Sequence, residues 1–208
     1  MAQAKPRSRI QERNRQTILS AALDLFSQYG LRGTTLDQIA DAAGLSKPNM
    51  LYYFPSKDSI YAALLARLLD DWLDPLRALD PAGQPIEEFL AYVDRKLALS
   101  RDYPRESRLF ASEILQGAPH IHATLTGELR ALVDEKASVI RDWAARGDIA
   151  DVDPHHLIFS VWSMTQHYAD FDVQVRAVLA GEDPYVRARA FLRHLYRRTL
   201  EVGGTGGA

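Results

Sequence analysis

The sequence of 208 residues contains no cysteine, which excludes disulfide bonds, thiolate metal sites and cysteine nucleophiles. It also lacks an unbroken run of about 18 apolar residues, the length a membrane-spanning helix needs, because charged residues such as Arg67 and Asp70 interrupt every apolar stretch. The first 16 residues are basic but are not followed by a continuous hydrophobic signal core. We therefore expect no membrane span and a cytoplasmic protein.

No segment shows sustained alternation of β-branched and polar residues, so the sequence predicts no β-strand. Hydrophobic residues make up 47% of the chain and charged residues 25%, which is typical of a folded globular protein. The expected class is all-α, with about nine helices. The length allows one domain or two small ones.

The net charge of −2 conceals a strong asymmetry along the chain. Residues 1–57 carry a charge of +4 and the remainder carries −6. A basic head joined to an acidic body is typical of a polyanion-binding module fused to a domain that does not bind nucleic acid. A solvated basic tail would give the same charge balance, so charge alone leaves both readings open.

Apolar residues recur at helical spacing along nearly the whole chain. The predicted helices are one from Ile18 that stops at Gly30, then 35–43, 46–54, 56–75, 86–102, 104–116, 121–147, 154–176 and 184–201. Thr35 and Gln38 form a predicted capping box, Ser46 and Ser56 are predicted N-caps, and Pro75 is expected to bend or end its helix. These boundaries suggest a head at 1–57, a body at 58–202 and a flexible tail at 203–208.

The two short helices within 35–54, joined by a turn at Gly44, predict a helix-turn-helix whose second helix enters a DNA major groove. Lys47 and Tyr52 suit phosphate oxygens, whereas Asn49 can reach base edges. The candidate DNA-binding residues are Thr34, Thr35, Ser46, Lys47, Asn49, Tyr52, Tyr53 and Lys57. A generic helical hairpin with ordinary surface tyrosines is the alternative.

The stretch Gly33-Thr-Thr-Leu-Asp-Gln-Ile-Ala-Asp-Ala-Ala-Gly-Leu-Ser-Lys-Pro-Asn-Met-Leu-Tyr-Tyr-Phe-Pro-Ser-Lys57 resembles the DNA-binding head of the TetR family of repressors. Pro48, Leu51 and Tyr53 depart from the commonest form of that motif. The resemblance implies a homodimer that binds a double-stranded, palindromic operator. It also implies a C-terminal ligand domain, with the dimer interface on the helices at about 154–176 and 184–201.

The body resembles TetR-family members that regulate pyrimidine utilisation, through segments such as Ser100-Arg-Asp-Tyr-Pro104 and Thr165-Gln-His-Tyr-Ala-Asp-Phe171. That likeness implies a repressor of pyrimidine degradation or nitrogen metabolism genes, released by uracil or thymine as effector, with no cofactor. A different effector, different genes, or activation at some promoters are the alternatives.

Five body residues are the candidate ligand-binding set: Trp72, Lys96, Ser100, Trp162 and Gln166. Trp162 and Gln166 are four residues apart, so an aromatic plane and an amide lie on one helical face. The alternatives are that the tryptophans are core, that Lys96 snorkels to solvent, and that Gln166 bonds across the dimer.

Other function classes have weaker support in the sequence. His120 with His122, or His155, His156 and His167, could suggest a metal site, but the spacing of a metalloprotease motif is absent. We find no nucleophile elbow, nucleotide-binding fingerprint or paired carboxylates. An enzyme and a metal-binding protein are therefore remote alternatives, and we expect neither a catalytic nor a metal-ligating residue.

Overall fold

The computed structural model describes residues 9–202 of the chain, and within that range it contains helices and no strand. The first eight residues of the basic N-terminal segment and the predicted flexible tail at 203–208 lie outside the described residues. The helices are α1 (Arg9–Gly33), α2 (Leu36–Ala42), α3 (Lys47–Tyr53), α4 (Lys57–Arg77), α5 (Pro85–Asp102), α6 (Pro104–Leu115), α7 (His122–Thr124), a π-helical turn (Leu125–Leu129), α8 (Arg130–Ala145), α9 (Pro154–Asp170), α10 (Asp172–Val178) and α11 (Tyr185–Leu200).

Helices α2 and α3 form the helix-turn-helix because their ends are capped where the sequence predicts. The Thr35 side chain accepts from the backbone N–H of Gln38, whose own side chain accepts from the backbone N–H of Thr35. The Ser46 side chain caps α3 by accepting a hydrogen bond from the backbone N–H of Asn49. Between the two helices Gly44 has a φ of 65°, a left-handed conformation that glycine adopts without a side-chain clash.

Helix α1 differs from the prediction at both ends. The structure describes it from Arg9, whereas the sequence predicts a start near Ile18. The prediction missed these first turns because they are mostly polar and carry no apolar stripe. The predicted break at Gly30 is present, with a φ of 69°, but one further helical turn reaches Gly33.

Two hydrophobic clusters form the core. The body cluster joins α5, α8, α9 and α11 around large side chains such as Phe89, Tyr92 and Trp143. The head cluster joins α1–α3 to the first half of α4, and it also includes Leu109 of α6 and Ile121. Helix α4 contributes to both clusters, so apolar packing is continuous across the expected boundary between residues 57 and 58.

Two predicted body helices are interrupted. The helix expected at 154–176 ends at Asp170, because Phe171 leaves helical geometry (φ −113°, ψ 29°), and α10 follows. The helix expected at 121–147 contains the π-helical turn. Apolar residues spaced by four, as Leu125 and Leu129 are, fit an α-turn and a π-turn alike, so periodicity could not reveal the difference.

Pro75 does not end α4, which continues to Arg77. Three residues separate the end of α3 from the start of this helix, and Leu76 near its other end packs in the body cluster. It is therefore the continuous mechanical link between the two parts of the fold.

Candidate functional site

Helix α3 presents a polar surface because a single residue, Met50, anchors it in the head core. Lys47, Asn49 and Tyr52 are exposed, and Ser46 at the helix start is exposed as well. The Lys47 ammonium lies 3.0 Å from the Asp37 carboxylate, but both side chains are open to solvent. An exposed pair of this kind is weak, so a DNA phosphate can compete for Lys47.

Thr34 is placed differently from the expectation that its hydroxyl faces DNA. The residue is 1% exposed, and its hydroxyl donates to the backbone oxygen of Gly30 at 2.9 Å. Its own backbone oxygen accepts from the Lys57 ammonium at 2.7 Å. Thr34 therefore supports the turn before α2, and Lys57 links that turn to the start of α4. The Thr35 hydroxyl likewise donates to Gln38 as part of the capping box.

The first turns of α1 contact the end of α3, and this contact was not predicted. The Asn14 amide donates to the Tyr53 hydroxyl oxygen at 2.9 Å, and the Gln11 amide donates to that of Tyr52 at 3.3 Å. The Arg15 guanidinium lies 4.2 Å from the centre of the Phe54 ring. Apolar periodicity could not reveal these residues, because they contact α3 through polar atoms.

In the body, Lys96 is the most unusual of the predicted ligand-binding residues. Its side chain is 3% exposed, and its ammonium lies 4.4 Å from the centre of the Trp72 ring, an arrangement that gives a cation–π interaction. Among the described residues this ammonium has no hydrogen-bond acceptor. Burial lowers the pKa of Lys96 to about 7, although the negative charge of Asp170 opposes the shift.

Asp170 was missed by the sequence reasoning. It lies at the end of α9 and accepts a hydrogen bond from the Ser107 hydroxyl of α6. Burial raises its pKa, against the lowering effects of the Ser107 hydrogen bond, Arg108, His167 and Lys96. A carboxyl group within the segment 165–171 was the available signal, because a buried lysine needs a compensating charge.

The remaining predicted ligand-binding residues lie on facing rows of α5 and α9. Ser100 is fully buried, and its hydroxyl donates to the backbone oxygen of Lys96 at 3.2 Å. The Trp162 indole donates to the Tyr92 hydroxyl at 2.8 Å. Tyr92, Lys96 and Ser100 are four residues apart on α5, as are Trp162, Gln166 and Asp170 on α9.

Gln166 therefore lies on α9 between Trp162, which donates to Tyr92, and Asp170, whose charge acts on Lys96. The residue is half-buried, and its amide forms no hydrogen bond within residues 9–202. The structure thus brings Trp72 to Lys96 directly and places Trp162 and Gln166 on the helix opposite.

A separate groove of about 820 Å³ runs between α1, α4, α5 and α6. Of the five predicted residues only Trp72 lines it, together with apolar side chains such as Leu64 and charged ones such as Arg95 and Arg105. The other four predicted residues lie outside it.

The histidines do not converge. In the part of the chain that the structure describes, no three histidine, aspartate or glutamate side chains could share a metal ion. His120 instead lies 3.1 Å from the Glu113 carboxylate, and His155 lies 3.0 Å from that of Asp134.

Sequence profiles of known families account for nearly all of the described chain. The profile described as bacterial regulatory proteins of the tetR family matches residues 18–64, and the one described as the C-terminal region of YcdC-like proteins matches residues 65–202. This chain belongs to the TetR family. The two profiles meet within α4, the helix shared by both hydrophobic clusters.

Relatives within the TetR family are transcriptional regulators. The chain is 53% identical over 172 residues to the HTH-type transcriptional regulator RutR of Escherichia coli K12, which covers 83% of this chain and 81% of the relative. It is 29% identical over 150 residues to the HTH-type transcriptional repressor NicS of Pseudomonas putida, covering 65% and 63%. The protein is therefore a DNA-binding transcriptional regulator and not an enzyme.

Solved TetR-like structures have the same fold. Salmonella enterica GusR superimposes with a TM-score of 0.66 at 20% identity, covering 91% of this chain and 96% of that one. A TetR-like regulator from Rhodococcus sp. RHA1 gives a TM-score of 0.66 at 23% identity, covering 94% and 97%.

Between residues 9 and 202 each helix is too short or too polar to span a bilayer.

Proposed function

We propose that this TetR-family regulator represses its genes by binding a palindromic operator through α3 of two subunits, and that a small pyrimidine such as uracil or thymine releases it. The regulated genes would serve pyrimidine degradation or nitrogen metabolism, in the cytoplasm where the operator DNA lies. The observation that carries the effector proposal is the position of Lys96 on α5, 3% exposed with its ammonium over the Trp72 ring, and of a half-buried Gln166 on the facing helix α9, with no hydrogen bond to either side chain's nitrogen or oxygen atoms among the described residues.

A pyrimidine ring has the complementary chemistry. It is flat and neutral, and it alternates N–H donors with carbonyl acceptors. The Lys96 ammonium can donate to a carbonyl oxygen, and the Gln166 amide can donate and accept along one edge of the ring. Trp162 offers an aromatic face four residues from Gln166. Buried polar groups favour a ligand that satisfies them.

The DNA side of the proposal rests on the exposed α3 surface. Lys47 and Tyr52 would contact phosphates, and Asn49 would read a base edge. One seven-residue helix contacts too few base pairs to select a site in a bacterial genome, so a dimer with two copies of α3 is needed.

The proposed dimer interface lies on α9 and α11. Both helices expose apolar side chains in this single chain, including Phe159 and Met164 on α9 and Val186 and Phe191 on α11. A monomer rarely leaves such patches open, whereas a second subunit would bury them.

The proposed switch runs through α4. Trp72 contacts the Lys96 ammonium, and the same helix starts just after α3. A ligand that displaces Trp72 would tilt α4 and move α3. Because two recognition helices must be about 34 to 36 Å apart to enter successive major grooves, a small tilt in each subunit weakens binding.

Titration of uracil and thymine into the operator complex tests the effector proposal. Release should be lost in Gln166→Ala, while operator affinity without ligand is retained because α9 is remote from α3. Gln174→Ala, on the exposed surface of α10, is the matched control and should respond as the parent does. Equal release from parent and Gln166→Ala contradicts the role of Gln166, and no release from the parent contradicts the pyrimidine.

A second candidate is a different, larger effector in the groove between α1, α4, α5 and α6. Its volume of about 820 Å³ and mixed apolar and charged lining favour this alternative. A thermal-shift panel of metabolites separates the two, since a ligand at 100 times its Kd adds about 2.7 kcal/mol to stability. Under this alternative, a larger metabolite and not a free pyrimidine stabilises the protein, and Arg95→Ala abolishes the shift.

A further inference from the structure

The contact between α1 and α3 gives the tyrosines of the recognition helix a defined hydrogen-bonding direction. The Asn14 amide nitrogen is the donor and the Tyr53 hydroxyl oxygen is the acceptor, at 2.9 Å. The hydroxyl group of a tyrosine carries a single hydrogen that it can donate. When its oxygen accepts from an amide, that hydrogen stays available for a different acceptor.

A second pair repeats the arrangement one helical turn earlier. Gln11 and Asn14 are three residues apart on α1 and therefore lie on the same face. Their amides donate to the consecutive phenols Tyr52 and Tyr53, whose rings pack edge to face with centres 5.2 Å apart. Both hydroxyl oxygens are thus supplied with a donor from α1.

We propose that Asn14 is a positioning residue for operator binding, which orients the Tyr53 hydroxyl so that its hydrogen is donated to a DNA phosphate oxygen. Asn14 and Tyr53 are both half-buried, so the pair lies where protein contacts meet solvent. The proposal rests on the proposed role of α3 at the operator. It extends the functional surface to α1, and it explains how Tyr53, which departs from the commonest form of the family motif, can serve as a phosphate donor.

Asn14→Asp tests the direction of the hydrogen bond. A carboxylate has the shape of the amide but can only accept, so it would draw the Tyr53 hydrogen away from the DNA. Because aspartate also keeps the shape of asparagine and Asn14 is only half-buried, the thermal midpoint should change little. The added negative charge also repels DNA, and this effect must be separated from the loss of orientation.

A double-mutant cycle provides that separation. Repulsion between the introduced carboxylate and DNA weakens binding by the same factor whether residue 53 is tyrosine or phenylalanine. Loss of hydroxyl orientation weakens binding only when the Tyr53 hydroxyl is present. Operator affinity is measured by fluorescence anisotropy for the parent, both single variants and the double variant. We expect Asn14→Asp to weaken binding by at least about tenfold more in the parent than in the Tyr53→Phe background, as a hydrogen bond to a charged group would. Equal factors in both backgrounds would overturn the proposal.

Salt dependence supplies a readout that a merely structural role would not give. The Tyr53 hydroxyl is neutral and releases no counterion, so the ratio between the two backgrounds should not change with salt concentration. If the loss of affinity caused by Asn14→Asp became equal in the two backgrounds at higher salt, the effect would be purely electrostatic, which contradicts the proposal.

Two further variants keep this test distinct from that of the α3 interface. Lys47→Ala should weaken binding to all DNA and lower the salt slope by about one, while Asn49→Ala should relax base preference. If neither variant affects binding, the α3 interface is wrong. If both do and Tyr53→Phe does not, the interface stands and the role of Asn14 falls.

Discussion

At the scale of single residues, Lys96 has the property with the clearest measurable consequence. Its ordinary pKa is 10.5, and burial lowers it to about 7. Below pH 7 the side chain is protonated in both the folded and the unfolded protein, so folding carries the full cost of a buried cation. Between pH 7 and 10.5 the unfolded state binds more protons, and the unfolding free energy from this group rises with pH.

Lys96→Met should therefore be more stable than the parent at pH 6, with an advantage that shrinks as the pH approaches 10. The advantage in unfolding free energy at pH 6 is about 1.4 kcal/mol for each unit by which the pKa is lowered. Loss of the cation–π interaction with Trp72 reduces the total by roughly 1 kcal/mol. Thermal unfolding of both proteins across this pH range measures the difference. A constant difference would show that Lys96 is not the titrating group.

Lys136→Met is the matched control for Lys96→Met. Lys136 is also buried, but its ammonium lies 3.1 Å from the Glu135 carboxylate and donates to the backbone oxygen of Leu79. Because its partners are lost on substitution, this variant should be less stable than the parent at neutral pH.

At the scale of elements, the turn between α2 and α3 depends on a backbone conformation as well as on side chains. The backbone N–H of Gly44 donates to Asp41 and that of Leu45 to Ala40, both at 3.0 Å, which closes α2 with a Schellman motif. This arrangement holds the turn that separates the two helices of the DNA-binding motif.

Gly44→Ala should lower the unfolding free energy by about 1 to 2 kcal/mol, because a Cβ atom is disfavoured in the left-handed region. Space is not the cause, since no atom lies within 4 Å of the added Cβ. Chemical denaturation measures the loss. Gly127→Ala, which is equally free of contacts but has no positive φ, should instead be neutral or stabilising. Equal losses in both variants would contradict the conformational explanation.

At the scale of the whole molecule, the proposed dimer determines whether the two α3 helices can act together. Phe191 on α11 is 59% exposed in the single chain. Phe191→Glu should give a monomer in analytical ultracentrifugation and weaken operator binding by more than about tenfold, because a charge in a buried apolar interface is costly.

Ile10→Glu is the control for that experiment, since Ile10 is an exposed apolar residue of the head and not of α9 or α11. It should leave the sedimentation of the protein unchanged. A parent protein that is monomeric when bound to specific DNA would contradict the dimer proposal altogether.

Local features were predictable because they depend on neighbouring residues. The Thr35 capping box, the Ser46 and Ser56 caps and the turn at Gly44 follow from side chains that bond within a few positions of their own backbone. The helix-turn-helix and the TetR fold were therefore determined by the sequence.

Tertiary structure decided what depends on residues distant in the chain. The beginning of α1 is stabilised against α3 by Asn14 and Tyr53, 39 positions apart, which no apolar stripe signals. The hydrogen bond from the Lys57 ammonium to the Thr34 backbone oxygen and the effect of Asp170 on Lys96 likewise arise only when separate segments pack. Periodicity shows which face of a helix is apolar, but the partner of a buried polar group is set by the helix packed against it.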